Sequence, residues 1–280
     1  AQQMKIIDGK TLAENLRKNI ANEVKQYSRP PGLAVLLVGD DQASQVYVRN
    51  KSRACVEVGF YSDQIHKSAN ITQEELLSEV QRLNENNNID GILVQLPLPS
   101  HIDANEIIEA IIPEKDVDGF SSENVGKLSL NKPFISPCTP KGVIKMLDSI
   151  KCDLRGKDCV IIGASNIVGR PMAMEFLNAG ATVQVCHKET KDIKQKTKSA
   201  DIIVAAAGVA NLVNSEWVKE GAVIIDVGIN RLEDGSMTGD VDFDDVKDVV
   251  SAISPVPGGV GPMTIAVLLE NTLTAYQAKL

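Results

Sequence analysis

The sequence predicts an α/β fold of two domains, each a parallel sheet with helices on both faces, divided near residue 139. Three observations carry this. Short apolar runs alternate with stretches of helical period, the signature of strands joined by crossover helices. The alternation pauses around Ile135–Pro140 and restarts at Cys159. The last run, Met263–Gln277, is long and apolar on one side, so it can close back onto the first domain and make that domain discontinuous.

Taken in order, residues 10–27 place Leu12, Leu16, Ile20 and Val24 at steps of four, one face of a helix. Leu33–Gly39 reads as a buried strand. Residues 43–58 form a helix that Gly59 stops. Tyr61–Lys67 is a second strand, and Thr72-Gln73-Glu74-Glu75 has the spacing of a capping box opening a helix to about Leu83. Gly91–Leu96 is a third strand, closed by Pro97 and Pro99. A helix near 103–111 leads to the polar turn Pro113–Gly119. Thr139 is expected to cap the next helix, with Pro140 at its first position. Strand 159–163, helix 171–179, strand Thr182–Cys186, helix 190–198 and strands Ile202–Ala206 and Val223–Val227 follow.

With 280 residues, 43% hydrophobic and 24% charged, the chain has the composition of an ordinary globular protein. Aromatics are only 4%, so its core must be aliphatic. A net charge of −8 and a pI near 5.0 argue against nucleic acid or an anionic membrane as the main partner, though not against a basic pocket for an anionic ligand. No apolar segment has the length of a membrane span, and no targeting pattern opens the chain. Cys55, Cys138, Cys152, Cys159 and Cys186 are odd in number and form no C-x-x-C pair, which reads as reduced thiols in the cytoplasm. The three histidines are scattered, so no metal site is expected. Ala1-Gln2-Gln3, ahead of Met4, reads as an addition and is set aside.

The organising stretch is Cys159–Pro171: an apolar strand, a break at Gly163, then a helical pattern through Met172, Phe176 and Leu177. Such a turn sets backbone N–H groups and a helix N-terminus where a pyrophosphate can sit. It departs from G-x-G-x-x-G, since Ser165 holds the second glycine position and Gly169 comes one residue late. A nucleotide site and a plain strand–helix turn both fit.

Three other groups stand out. Ser44, Tyr47 and Lys51, at i, i+3 and i+7, share one helix face, which is either a solvated polar face or one side of a site. Gln95 lies at the carboxyl end of an apolar strand, where it needs a polar partner such as an amine. Pro255–Thr264 holds three glycines and three prolines before an apolar helix, which favours a ligand loop over a linker.

These blocks resemble a family. Tyr47-Val48-Arg49-Asn50-Lys51, Val94–Pro99, Lys115-Asp116-Val117-Asp118-Gly119, Pro137–Gly142 and Pro255–Thr264, all in order, are similar to the bifunctional methylenetetrahydrofolate dehydrogenase/methenyltetrahydrofolate cyclohydrolase family. The resemblance covers nearly the whole chain. It implies two Rossmann-like domains flanking a cleft, usually in a homodimer. Residues 1–138 with helix 263–280 would be the folate-binding catalytic domain, and 139–262 the NAD(P)-binding one. The implied activity oxidises 5,10-methylenetetrahydrofolate with NADP, NAD being the alternative, and hydrolyses the product to 10-formyltetrahydrofolate for one-carbon metabolism.

Carried over residue by residue, Lys51 matches the catalytic lysine, Gln95 the glutamine beside it, and Tyr47 the tyrosine that stacks on the aminobenzoyl ring. Asp118 matches the acid that holds the pterin, and Ser44, Val94 and Leu96 lie with them. The loop that closes over the folate corresponds to Pro257, Gly258, Gly259, Val260, Gly261, Pro262, Met263 and Thr264. Gly163, Ala164, Ser165 and Ile167 match the dinucleotide turn, and Ile229 a residue that packs near it. One departure bears on the cofactor: many NADP-using members carry arginine where this chain has Ala164. Lys188 favours a 2′-phosphate and Glu189 a free 2′-hydroxyl. Two rivals remain. An amino-acid or shikimate-type dehydrogenase leaves Gln95, Asp118 and Pro257–Thr264 without a reason, and a non-catalytic folate-binding protein has no need of Lys51. No residues remain for an attached formyltetrahydrofolate synthetase module.

Overall fold

A computed structural model describes residues 3–280; Ala1 and Gln2, within the stretch ahead of Met4, lie outside the described residues. The chain forms two compact units. One is Glu14–Cys138 with Ile265–Leu280; the other is Thr139–Thr264 with the N-terminal residues up to Ala13.

The chain starts with strand β1 (Lys5–Ile6) and helix α1 (Gly9–Val24). Then come β2 (Gly32–Val38), α2 (Gln42–Val58), β3 (Tyr61–Lys67), α3 (Gln73–Asn84), β4 (Gly91–Val94), α4 (Ala104–Ala110) and α5 (Ser122–Ser129). Strands β3, β2 and β4 pair in that order, all parallel. The central strand, Gly-Leu-Ala-Val-Leu-Leu-Val, is buried throughout, as a strand covered on both faces must be. The helix ends obey local chemistry. Asp41 accepts from the Ser44 N–H to start α2, Gly59 closes it in the left-handed region at φ 83°, and Thr72 accepts from the Glu75 N–H to start α3. Strand β4 ends at Val94, so Gln95 and Leu96 lie just beyond it rather than within it. Helix α5 was not expected: it is short, with only Val125 and Leu128 as apolar residues, and its sequence signal is the Ser121 cap on Asn124 N–H.

The other unit continues with α6 (Cys138–Ser149), β5 (Asp158–Ile162), α7 (Gly169–Asn178), β6 (Thr182–Cys186), α8 (Ile193–Lys198), β7 (Ile202–Ala205) and β8 (Val223–Asp226). A small antiparallel pair, β9 (Asn230–Arg231) and β10 (Met237–Thr238), precedes α9 (Phe243–Val246), β11 (Ala252–Ile253) and the last helix, α10 (Val260–Gln277). Its six-stranded sheet has the order β1-β11-β8-β7-β5-β6, and every pairing is parallel. Trp217 sits in its aliphatic core with Val160, Ile203 and Ile224.

Two expectations are corrected. Thr139 does not cap α6, which already starts at Cys138; its hydroxyl instead meets the Thr264 hydroxyl at 2.8 Å. Helix α10 begins three residues early, taking Val260, Gly261 and Pro262 into its first turn, where a proline lacking an N–H is tolerated.

The C-terminal half of α10 returns to the first unit, as the sequence predicts. The Tyr276 hydroxyl donates to the Arg29 carbonyl at 2.8 Å, and its ring meets Tyr27 edge-on with centroids 4.8 Å apart. Beneath lies Asp90, fully buried, accepting two bonds at 2.9 Å from Arg29, one at 2.8 Å from Gly32 N–H and one at 3.0 Å from Lys279. Burial pushes its carboxyl up, but these donors outweigh burial and hold it below the usual carboxylate range. Asp90→Ala strands two cations and a backbone N–H. Arg29 and Lys279 keep about a third of their exposure. The expected loss is therefore about 3 kcal/mol, the low end for breaking a buried ion pair. A urea midpoint unchanged in this variant would show that α10 docks without the pair.

Candidate active site

Parallel sheets take ligands beyond the carboxyl ends of their strands. At the end of β4 the Gln95 N–H still donates to the Leu36 carbonyl at 2.9 Å, which fixes where the side chain starts. Helix α2 brings Lys51 to it: the ammonium donates to Gln95 Oε1 at 2.8 Å. This is the amine partner that a glutamine at this strand end requires. Burial lowers the Lys51 amine below the ordinary lysine value, with Asp118 and Cys138 pulling the other way. Asp118 is pushed up to about 7 by burial first, opposed by Lys51 and reinforced by Asp116. The shifts converge: the ammonium becomes easier to deprotonate and the carboxylate easier to protonate.

The neighbours divide by access. Tyr47 is 43% exposed, leaving its ring available to a planar ligand. Ser44 is buried, and its hydroxyl donates to Asp41 Oδ2 at 2.8 Å within the helix cap. Val94 is buried in the core, so only its backbone can face a ligand, while Leu96 is half-buried.

Three buried polar residues fix the turn carrying Asp118: Lys115 and Asp116, whose block carries the resemblance but which had no role assigned, and Asn271, which the sequence did not single out. Lys115 donates to the carbonyls of Leu83, Asn84 and Asn86 at 2.7–3.1 Å, closing the C-terminus of α3. Asp116 accepts from Ser121 N–H and from Asn124 Nδ2, both at 2.9 Å. Asn271 on α10 donates to the Val117 and Ser136 carbonyls at 3.0 and 2.9 Å. The available signal was a lone amide in the middle of the apolar α10. Gly119, at φ 73°, completes the turn, and a Cβ there would come within 2.8 Å of Pro137 N and the Ser136 carbonyl carbon.

In the other unit, the turn after β5 is built as tightly as a phosphate-binding turn needs to be. Gly163 takes φ 126°, and a Cβ there would lie 2.3 Å from the Ala206 carbonyl oxygen. A Cβ on Gly169, the first residue of α7, would lie 2.0 Å from the Gly163 carbonyl oxygen. The late glycine therefore does the packing that the third fingerprint glycine does elsewhere. Ser165 closes the loop by accepting from Val168 N–H at 3.0 Å. Ile167 and Ile229, at 43% and 48% exposure, stand uncovered beyond β5 and β8. Lys188 and Glu189 are exposed after β6. Arg170, within the same stretch, donates from Nε to the Ala164 carbonyl at 3.1 Å and so braces the turn.

The proline–glycine segment is half loop and half helix. Gly259, Val260 and Met263 are buried; Pro257 is exposed, and Gly258, Gly261, Pro262 and Thr264 are half-buried. Lys10 N–H donates to the Gly258 carbonyl at 3.0 Å, and a Cβ on Gly9 would strike the Gly259 oxygen at 1.8 Å, so the N-terminus of α1 clamps the loop. A cavity of about 80 Å³ opens beside it, with Asp226, Ile229, Met237, Pro257 and Pro262 among its walls. Among the described residues no trio of His, Cys, Asp or Glu gathers where a metal could bind, and no helix is long and apolar enough to cross a membrane.

Residues 7–118 match the catalytic domain of tetrahydrofolate dehydrogenase/cyclohydrolase, and residues 137–280 match its NAD(P)-binding domain. The chain is 61% identical over 277 residues to the bifunctional protein FolD of Ruthia magnifica subsp. Calyptogena magnifica, covering 99% of this chain and 100% of that one. The crystal structure of the bifunctional enzyme FolD from Campylobacter jejuni is 53% identical and superposes with a TM-score of 0.97 over 99% of this chain and 100% of that one. The Trypanosoma brucei enzyme, solved with NADP cofactor and an inhibitor, is 40% identical with a TM-score of 0.95, over 100% and 99% of the two chains.

Proposed function

This chain belongs to the tetrahydrofolate dehydrogenase/cyclohydrolase family, and from that membership we propose how its residues divide the work. The activity is bifunctional: oxidation of 5,10-methylenetetrahydrofolate to the methenyl form, then hydrolysis to 10-formyltetrahydrofolate, in one-carbon metabolism. Membership excludes the shikimate-type dehydrogenase, and Lys51 with its neighbours speaks against a merely folate-binding protein.

The observation that carries the reading is the Lys51–Gln95 bond of 2.8 Å, with the Lys51 amine lowered by burial near Asp118. Asp118 as a carboxylate accepts a pair of ring donors from the pterin and so orients the substrate. Tyr47 lays its exposed ring against the aminobenzoyl group. Lys51, held by Gln95, takes the proton from the attacking water and returns one to the leaving ring nitrogen. Ser44, through its cap on Asp41, keeps the start of α2 in place, and Val94 and Leu96 offer backbone groups on either side of Gln95. In the proline–glycine loop, the prolines stiffen the backbone and the glycines let a ligand come close, which supports Pro257–Thr264 as the segment that closes over the folate.

The residues fit NADP at the turn after β5. Gly163, Ala164, Ser165 and Ile167 would hold the pyrophosphate, Lys188 the 2′-phosphate, and Ile229 would pack against the nicotinamide side. When bound, NADP supplies the hydride acceptor. Hydride transfer asks no proton of the protein, because the folate nitrogen lone pair stabilises the cation left behind.

The assay that tests the reading has two stages. Methenyl-folate absorbance should rise with NADP, then decay after the cofactor is exhausted, in proportion to added enzyme; a rise with no enzyme-dependent decay would sink the bifunctional assignment. Cofactor choice gives a second expected result. One exposed ammonium–phosphate contact is worth about 1 kcal/mol, roughly fivefold, so kcat/KM with NADP should exceed that with NAD by about that factor. Ala164→Arg should widen the gap, and a higher kcat/KM with NAD would overturn the assignment of Lys188. A homodimer in the cytoplasm belongs to the same proposal. The edge strand β6 leaves Val185 exposed, with Leu177 exposed on the neighbouring helix, and all five cysteines are thiols.

A further inference from the structure

Two buried carboxylates lace together the strand ends on the far side of the dinucleotide turn, and their hydrogen-bond partners are all residues not yet assigned to the chemistry. Asp226, the last residue of β8, accepts through Oδ1 from the N–H groups of Gly228 and Asp240, both at 3.0 Å, and through Oδ2 from Val241 N–H at 3.1 Å. Its own N–H donates to Ser254 Oγ at 2.8 Å, at the end of β11. Asp240, fully buried, accepts through Oδ2 from the N–H groups of Ala207 and Gly208 at 2.7 and 2.9 Å, just past the end of β7. Its Oδ1 accepts from Asn230 Nδ2 at 2.9 Å. Every partner is a donor, so the geometry suits both groups as carboxylates. Space is reserved for them: a Cβ on Gly228 would fall 2.1 Å from Asp240 Oδ1, and one on Gly239 would fall 1.8 Å from Asp226 Oδ2.

The expense of this arrangement asks for a reason, since buried carboxylates are retained only when well hydrogen-bonded. In a doubly wound sheet a dinucleotide crosses the point where the strand order reverses. Here that point lies between β5 and β7. With the pyrophosphate at the β5 turn and the adenosine end over β6, the nicotinamide half falls over the ends of β7 and β8. Those are the ends that Asp226 and Asp240 tie together, and Ile229 lies between two of the tied residues, Gly228 and Asn230.

We propose that Asp240 and Asp226 form a positioning unit for hydride transfer, fixing the backbone at Ala207–Gly208 and Gly228–Asn230 on which the nicotinamide ring rests. This deepens the proposed function and rests on its placement of the dinucleotide at the β5 turn. The carboxylates act through the loops they hold. Misplacement of a reacting group by about 1 Å can lower a rate on the order of 10²-fold. Such a unit therefore shows in kcat for the dehydrogenase, while binding through the pyrophosphate turn is kept.

The test is Asp240→Asn. Its one carbonyl oxygen can still accept from Ala207 and Gly208, but its amide then faces the Asn230 amide, donor against donor. Expected are a fall of about 10–100-fold in dehydrogenase kcat and a KM for NADP within about threefold of wild type. A calorimetric Kd for NADP should likewise stay within about threefold, with unchanged hydrolysis of supplied methenyl-folate and a melting temperature lower by only a few degrees, since one buried amide is left unpaired. Adding Asn230→Asp gives the amide an acceptor again, and the double variant should recover most of the lost kcat. Loss of both activities together, no loss of kcat, or failure of the double variant to recover would each overturn the proposal. Ile167→Asp separates this from failure of the placement beneath it: a carboxylate at the exposed turn should weaken the calorimetric Kd at least tenfold. An unchanged Kd in that variant would move the dinucleotide elsewhere and overturn the inference with it.

Discussion

Lys51→Met is expected to abolish cyclohydrolase activity while leaving dehydrogenase activity measurable, so that methenyl-folate accumulates. The substitution keeps the length and apolar stem of the side chain and removes only the amine that bonds Gln95 at 2.8 Å. Water must lose a proton and the ring nitrogen gain one, and acid–base groups contribute about 10²–10⁴-fold to such steps. Hydride transfer has no such need. Tyr47→Phe keeps the ring and should lose far less of either activity. Gln95→Ala frees the amine and should displace the pH profile of hydrolysis. Stopped-time product analysis distinguishes accumulated methenyl-folate from 10-formyl-folate. If both activities fall equally in Lys51→Met with folate binding intact, the lysine serves hydride transfer as well.

The second large effect belongs to Asp118. Asp118→Ala should raise the folate KM for both reactions, by on the order of 10–100-fold, because leaving buried donors unpaired costs about 1–3 kcal/mol. The same side chain sets a pH limit. Its carboxyl is pushed up to about 7, so it is a carboxylate above that value and gains a proton as the pH falls through it. A protonated acid cannot accept two donors, so folate kcat/KM should fall on the acid side of about 7 and be flat there in Asp118→Asn. Because Lys51 lies close enough to shift it, the inflection belongs to the pair rather than to one residue. An unchanged folate KM in Asp118→Ala would remove Asp118 from the site.

How far the sequence could be read depended on how local the physics was. Gly59, Thr72 and the Val-Leu-Leu-Val of β2 act through their immediate neighbours, and each was legible as stop, cap and buried strand. That Gln95 needs an amine was legible from its place at a strand end, and the family resemblance pointed to Lys51 as that amine. The joining of β1 to β11 was not, since a two-residue strand has no period and its partner lies far along the chain. Thr139 misled because its hydroxyl has a tertiary partner, Thr264, in place of the local one. The roles of Lys115, Asp116, Asn271, Asp226 and Asp240 were not legible for a common reason. Each is a polar residue whose role is to satisfy backbone groups brought together only by folding, and nothing in a linear pattern marks which carbonyl or N–H will be left over. Arg170 lay inside the very stretch read most closely, but that its guanidinium turns back to the Ala164 carbonyl is a property of the loop alone.

The scarcity of aromatic residues has one more consequence. Trp217, the single tryptophan, is buried in the core of the unit built on the six-stranded sheet. The four tyrosines, Tyr27, Tyr47, Tyr61 and Tyr276, all belong to the other unit. The molecule is thus labelled by its own fluorophores, one kind in each half. Tryptophan emission follows the loosening of the unit built on the six-stranded sheet, and tyrosine emission follows that of the other unit. Unfolding of the two halves, in step or one after the other, can be watched in the native chain without a dye or a substitution.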